Sequence, residues 1–364
     1  MIAQAADTLL ETVRRESATG EEIQAAARAL FKSVRKSSRD EVHEAMRTLA
    51  AAFQLTDARR AGFVAMACGA LVEGGFDPET IAAPLVERLG PLLDGSARLM
   101  EACLERMPQP AKDAEPEEEE DEDGHSKAFE ETRRQVSPEL PGEAAAWDAL
   151  EQLWPPMIAV FSASSPWRAR ARRLRDTAAR IADHHVAGHW LRLMLSVSDD
   201  EPILVIEPAK RLGMLGRMSG VVDNFQIHVL LMDVFPKSGF FRRRRVPRRV
   251  VEIARGNGPQ RTAEVVTGTW NLYTWQAVGP DLSLPDPQGP GTPANWIWGE
   301  GVPDDIPLFE DHRVILLGPP SYVRAWQSQR MFAHLRASVE CTRTLDADEI
   351  HQWLQRMAAA AGGS

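Results

Sequence analysis

The sequence predicts a multidomain protein: an N-terminal all-α helical bundle, simple or HEAT-like, joined by an acidic linker to a C-terminal α+β domain with a mixed β-sheet. Three observations carry this reading. Residues 1–107 show only helical apolar periodicity. Residues 108–135 are rich in proline and carboxylates. All 10 Trp and both Tyr lie after residue 146, among short apolar runs spaced like strands. The expected domains are therefore 1–107, helical; 108–135, a disordered acidic linker; and 136–364, α+β.

In the first segment Ile2, Leu9, Leu10 and Val13 form one stripe. Thr19 with Glu22 has capping-box spacing, in which hydroxyl and carboxylate each bond an amide that the first helical turn leaves unpaired. It opens the stripe Ile23, Ala26, Ala27, Leu30, Phe31 and Val34. Ser38 with Glu41 repeats the signature before Val42, Met46, Leu49 and Phe53. A fourth helix over about 57–72 turns Phe63, Met66, Ala67 and Ala70 inward and stops at Gly74-Gly75. Pro78 opens a fifth, because a first-turn proline gives up an N–H that has no partner anyway. Gly90-Pro91 is expected to end that helix, with a last one running to about Met107. Short loops between them imply antiparallel neighbours.

The linker places Pro108, Pro110 and Pro116 ahead of Glu117 to Asp123, seven consecutive carboxylates. Such a run repels itself and has nothing apolar to bury, so an extended, solvated chain is expected. Beyond it, 165–197 reads as one long helix with a stripe at Trp167, Ala171, Leu174, Ala178, Ile181 and His185. Ile203–Ile206 reads as a strand, and Phe225–Phe235 as a longer strand buried on both faces. Val250–Ile253 and Thr262–Thr267 flank Gly256-Asn257-Gly258 like a hairpin. Trp270–Val278 reads as a strand and the proline-rich 280–293 as a loop. Arg313–Leu317 is a strand, Ser321 caps a helix to about Arg336, and Val339–Thr342 is a strand. Asp346 with Glu349 caps a final helix bearing Ile350, Trp353, Leu354 and Met357. That last alternation has the order of a right-handed βαβ unit.

Composition and charge narrow the function classes. The chain is 44% hydrophobic and 26% charged, which is ordinary for a globular protein and unlike a collagen or disulfide scaffold. Cys68, Cys103 and Cys341 are few, odd in number and far apart, which fits a reducing cytoplasm. No leader-like basic and apolar start and no uninterrupted apolar stretch of membrane length is present, so neither a signal peptide nor a membrane partner is expected. Arg outnumbers Lys 36 to 6 beside abundant Ala, a bias that fits a GC-rich bacterial genome. Of the net charge of −10, residues 108–135 hold −7 and 136–364 hold none. No overall field therefore draws the protein to nucleic acid.

Several constellations offer chemistry. His185 and His189 lie four apart, on one side of a helix, and Glu201 (or Asp199 or Asp200) follows at its end; this set could hold zinc. The Glu of a catalytic zinc helix is missing, since Val186 stands in its place. His185 also continues an apolar stripe, which favours a core histidine. Gly318-Pro319-Pro320-Ser321 resembles the opening of a phosphate loop, but no Gly-Lys-Ser/Thr follows and two amides are lost to proline. Ser219, Asp223, His228 and Asp233 contain the types of a hydrolase triad without its elbow motif. Arg242, Arg243, Arg244 and Arg245 form a basic patch, and Arg168 to Arg175 a second, either of which could meet phosphates or the acidic linker. Trp296 and Trp298 end the proline-rich loop as a candidate partner anchor.

No motif fixes a reaction. The leading expectation is a cytoplasmic protein-interaction or adaptor protein that uses the helical domain and the Trp296–Trp298 loop to bind another protein. The alternative is a metal-dependent hydrolase or other enzyme in the C-terminal domain. A third is nucleic-acid binding through the arginine loop.

Overall fold

The computed structural model describes residues 1–107, 121–236, 246–286 and 292–362. It divides into two compact units, Met1–Leu195 and Ser196–Ser364. Together they have an α+β composition with a mixed sheet. The expected boundary at 108–135 and this division do not coincide. Among the described residues no helix is long and apolar enough to cross a membrane.

The first unit begins with α1 (Ile2–Arg14), α2 (Gly20–Val34), α3 (Arg39–Ala50), α4 (Ala58–Glu73) and α5 (Glu79–Arg106). Both expected capping boxes form, at Thr19/Glu22 and Ser38/Glu41. In α4 the inward face is only partly the expected one: Ala67 is buried and Phe63 half-buried, but Met66 and Ala70 are exposed, and Ala61, Val64, Ala65, Cys68 and Leu71 are also buried. Gly90-Pro91 does not break α5, which runs unbroken through Pro84 and Pro91. Leu85, Leu89, Leu92, Leu93 and Leu99 are buried on both sides of Pro91. That burial offsets the lost backbone bond.

Residues 121–135, expected to be extended, fall within α6 (Asp121–Val136). Residues 117–120 of the acidic run lie outside the described residues. α7 (Pro141–Ala163), which no sequence signal raised, packs against α4 and α5. The approach is close: a Cβ on Gly62 would lie 2.6 Å from Gln152, and one on Gly69 3.1 Å from Pro156. This packing is why the helical unit extends to Leu195. The stretch expected as one long helix is instead α8 (Ser165–Ala171), α9 (Arg175–Arg180) and α10 (Val186–Leu195), joined by short irregular turns. All six residues of its stripe are nevertheless buried.

The second unit is built on β1 (Glu201–Glu207), β2 (Leu212–Ser219), β4 (Asn271–Tyr273), β5 (Leu308–Phe309), β6 (His312–Gly318) and β8 (Ser338–Leu345). The order is β4-β6-β1-β2-β8, with β5 beside β6. β1 and β6 pair in parallel and the other pairs are antiparallel. Successive residues of β1 and β6 feed opposite faces. Ile203, Val205, Ile315 and Leu317 join one core cluster, and Leu204, Ile206, Val314 and Leu316 the other. α11 (Asn224–Val234) and α12 (Arg248–Ala254) cover the first face. α13 (Ala347–Ala361), opened by the expected Asp346/Glu349 box, covers the second. β3 (Arg261–Thr267) and β7 (Ala325–Gln329) form a separate two-stranded sheet.

Four expectations fail here. Residues 225–234 belong to helix α11, not a strand; Gln226 to Met232 are buried without interruption because neighbours cover this part of the helix on all sides. A run buried on all sides has no periodicity that separates strand from helix. Residues 250–253 are helix α12, so Gly256-Asn257-Gly258 is not a hairpin turn. Ser321 opens no helix; β7 occupies part of 321–336. β6 and β8 are separated in the sheet by β1 and β2, so they form no βαβ unit.

Candidate functional site

The candidate site lies in the second unit, where three stretches meet: the N-terminus of α11, residues 296–301, and residues 322–329. Asp223 is the N-cap of α11, and its Oδ1 accepts from the Gln226 amide at 2.7 Å. Gln226 replies: its Oε1 accepts from the Val222 amide at 2.9 Å, while its Nε2 donates to the Ala254 carbonyl at 2.6 Å. Asp223 thus caps the helix from one side only, while Gln226 ties the preceding residue, Val222, and the end of α12 to the same helix start.

Residues 298–301 are fastened across this helix start. The Asn224 and Phe225 amides donate to the Gly301 and Gly299 carbonyls, both at 3.0 Å. Asn224 Nδ2 donates to the Trp298 carbonyl at 2.8 Å. Position 299 requires glycine, since a Cβ there would sit 2.3 Å from the Phe225 ring. The fastening holds an aromatic surface in place. Trp298 and Tyr322 are 45% and 50% exposed, and Val323 beside them is 82% exposed. Trp296 lies beneath, 5.1 Å from Trp298 and 6.3 Å from Tyr322 between ring centroids. The Arg324 guanidinium stands over both exposed rings, at 5.5 and 5.4 Å. An Arg stacked in this way stiffens the surface and lends it one charge.

Next to this surface is a cleft of about 390 Å³, lined among others by Asp223, Phe225, Val229, Glu300, Trp326 and Gln327. Phe225 and Trp326 are 5.0 Å apart at a 35° tilt. Burial pushes the Asp223 carboxyl up to about 6, against two backbone hydrogen bonds that pull it down, and the Glu300 carboxylate adds to the rise. His228 is buried beside Trp326; burial, with the Arg324 charge, pulls it down to about 4. Neutral His228 accepts from the Thr269 amide through Nε2 at 3.2 Å. A larger hollow of about 770 Å³ lies elsewhere in the unit, beyond the ends of β1 and β6. Its rim sets Asp281, Asp286 and Asp348 against Arg211 and His351, so it is acidic on balance, and among the described residues it offers no Phe, Tyr or Trp ring.

The structure brings together only part of the expected sites. His185 is buried, with both ring nitrogens in use: Nδ1 accepts from the Ala187 amide at 3.0 Å, and Nε2 faces the Trp147 carbonyl at 3.2 Å. The first bond makes Nδ1 the acceptor, so Nε2 carries the proton and no lone pair is left for a metal. His189 is exposed, next to Trp190. Glu201 belongs to the other unit, where Arg313 holds it at 2.8 Å. Among the described residues no three of His, Cys, Asp and Glu gather as a metal site. The four residues of the imagined triad each do something else. Ser219 Oγ accepts from the Asp200 amide, Asp223 and His228 are engaged as above, and Asp233 pairs with Arg255 at 2.8 Å.

Arg242, Arg243, Arg244 and Arg245 lie outside the described residues. The second arginine cluster is divided in its contacts: Arg168 is buried and donates to the Phe161 carbonyl, Arg170 stacks on Trp167, and Arg175 pairs with Asp176. Phe225, Glu300, Tyr322, Arg324 and Trp326 are site residues that sequence reasoning missed. The Asp223–Gln226 spacing was the signal that could have found the helix start beneath them. No family model matches this chain, and no curated protein or solved structure matches it either.

Proposed function

We propose that the chain is a non-enzymatic adaptor, cytoplasmic in setting, that binds a partner protein through the Trp298–Tyr322 surface. The helical unit, read as a simple bundle or HEAT-like stack, offers a second binding face. The observation that carries the proposal is the exposure of Trp298, Tyr322 and Val323 side by side, stiffened by Arg324 and fastened to α11. Rigid aromatics at low entropic cost, near a stacked Arg, are the composition of interaction hot spots.

The test is selection of displayed random peptides on the full chain, repeated on Trp298→Ala and Tyr322→Ala. An anchor tryptophan contributes about 2 kcal/mol or more, so peptides selected on the wild type should bind Trp298→Ala roughly 30-fold more weakly. His189→Ala, an exposed change in the other unit, should leave them unaffected. Peptides that bind wild type and both aromatic variants equally, or no enrichment at all, would overturn the proposal.

A further inference from the structure

We infer that the cleft between α11 and β7 is a receptor for a cationic side chain, an Arg or Lys presented by an extended segment of the partner protein. The inference rests on the adaptor reading and names what that partner must carry. The cleft combines two features that organic cations recognise: aromatic faces, from Phe225 and Trp326, and carboxylates, from Asp223 and Glu300. Asp223 is only 8% exposed, lines the cleft, and has backbone amides as its hydrogen-bond donors. Among the described residues neither Asp223 nor Glu300 forms an ion pair. Arg324, whose charge is felt at nearby His228, stands over Trp298 and Tyr322 instead.

The charge balance favours a cation. A helix N-terminus supplies about half a positive charge. Two carboxylates exceed that, so the cleft is net anionic. Burial of Asp223 makes its ionised form costly when the cleft is empty, and an entering cation removes part of that cost. Size also fits, because about 390 Å³ is ample for one long side chain. On the β7 side, the wall is a strand that among the described residues pairs only with β3. Its other edge is a template on which an extended segment could pair while its side chain enters the cleft.

The experiment titrates the full-length protein with Nα-acetyl-arginine methylamide, reading the indole N–H resonance of Trp326 by NMR. The citrulline analogue, equal in shape and uncharged, is the control. Saturable movement with the arginine probe and none with citrulline is expected. Asp223→Asn keeps a capping oxygen for α11 and removes the charge, so it should weaken the arginine probe about tenfold. Glu300→Gln, at an exposed position, should weaken it about threefold. Glu300→Lys places a cation at the mouth and should abolish binding. Equal response to the two probes, or arginine binding unchanged in Asp223→Asn and Glu300→Gln, overturns the inference.

The adaptor reading fails separately. If selected peptides depend on Trp298 but carry no required Arg or Lys and ignore Asp223→Asn, the surface stands and the cation receptor falls. If the arginine probe binds in the cleft and no peptide depends on Trp298, the receptor stands and the adaptor surface falls.

Discussion

Asp223→Asn separates the electrostatic character of the cleft from the architecture that surrounds it. In the folded protein burial holds the Asp223 carboxyl at about 6, against an ordinary value of 3.8. The folded state therefore binds this proton more tightly than the unfolded chain. The corresponding stability is fully present below about pH 3.8 and is lost as pH rises through about 6. The gap amounts to roughly 3 kcal/mol once both states are ionised. Between about pH 4.5 and pH 7.5 the linkage relation leaves roughly 2 kcal/mol to be lost. Burial sets this value, and three neighbouring groups adjust it: the Gln226 and Phe225 amides lower it and Glu300 raises it. Asn keeps the oxygen that accepts from the Gln226 amide but does not titrate. Urea unfolding at the two pH values, read by tryptophan fluorescence, should show the wild type losing about 2 kcal/mol relative to Asp223→Asn. A difference between the two proteins that stays constant within about 0.5 kcal/mol would refute the reasoning.

Other perturbations test the frame around the site. Gly220 has φ of +69° and a Cβ there would lie 1.8 Å from the Arg336 carbonyl oxygen, so Gly220→Ala should lower stability by about 3 kcal/mol or more and shift the urea midpoint strongly. Gly258, at φ of +68° with open space around it, should cost only about 1 kcal/mol on the same change. His185→Ala leaves the Trp147 carbonyl and the Ala187 amide without their partner in a buried site, for a loss of about 2–4 kcal/mol in thermal or urea unfolding. Burial holds the His185 pKa below its ordinary 6.5, so its stabilising effect is present above that value and lost as pH falls through the folded-state value; ¹⁵N shifts of the ring should report the Nε2-protonated tautomer at neutral pH. A specific protease site inserted at Ala114 and cut should give two fragments that co-elute on gel filtration, because α7 packs on α4 and α5. Separation into independent fragments would show that 1–107 is a domain of its own.

Legibility followed local signals. Capping boxes fixed the starts of α2, α3 and α13, because each depends on residues three apart and nothing else. β1 and β6 were readable as short apolar runs bounded by charge or proline. The continuity of α5 through Pro91 is not legible locally, because the cost of the proline is a local feature and the burial of the leucines around it is a tertiary one. The packing of α7 on α4 and α5 is equally invisible locally. Nothing in residues 141–163 announces that their neighbours are α4 and α5, a long-range fact that only packing reveals. Trp296 and Trp298 were singled out by composition alone. Their partners Tyr322 and Arg324 come from a distant stretch misread as helix.

The largest misreading and the candidate cleft have the same origin. As a strand, 224–235 would place Phe225, Ile227 and Val229 on one face and Gln226 on the other. As α11, the same residues present Phe225, Gln226 and Val229 together to the cleft, while Ile227, Leu230 and Leu231 enter the core. Phe225 faces Trp326 of β7 and the carboxylates of Asp223 and Glu300 only because the helix starts at the Asp223 cap. A buried carboxylate at that start is costly to stability near neutral pH, and a protein selected for folding alone has asparagine or serine available as an equally good cap. In the proposed receptor an entering cation offsets that cost, because it meets the Asp223 charge beside two aromatic rings and a second carboxylate.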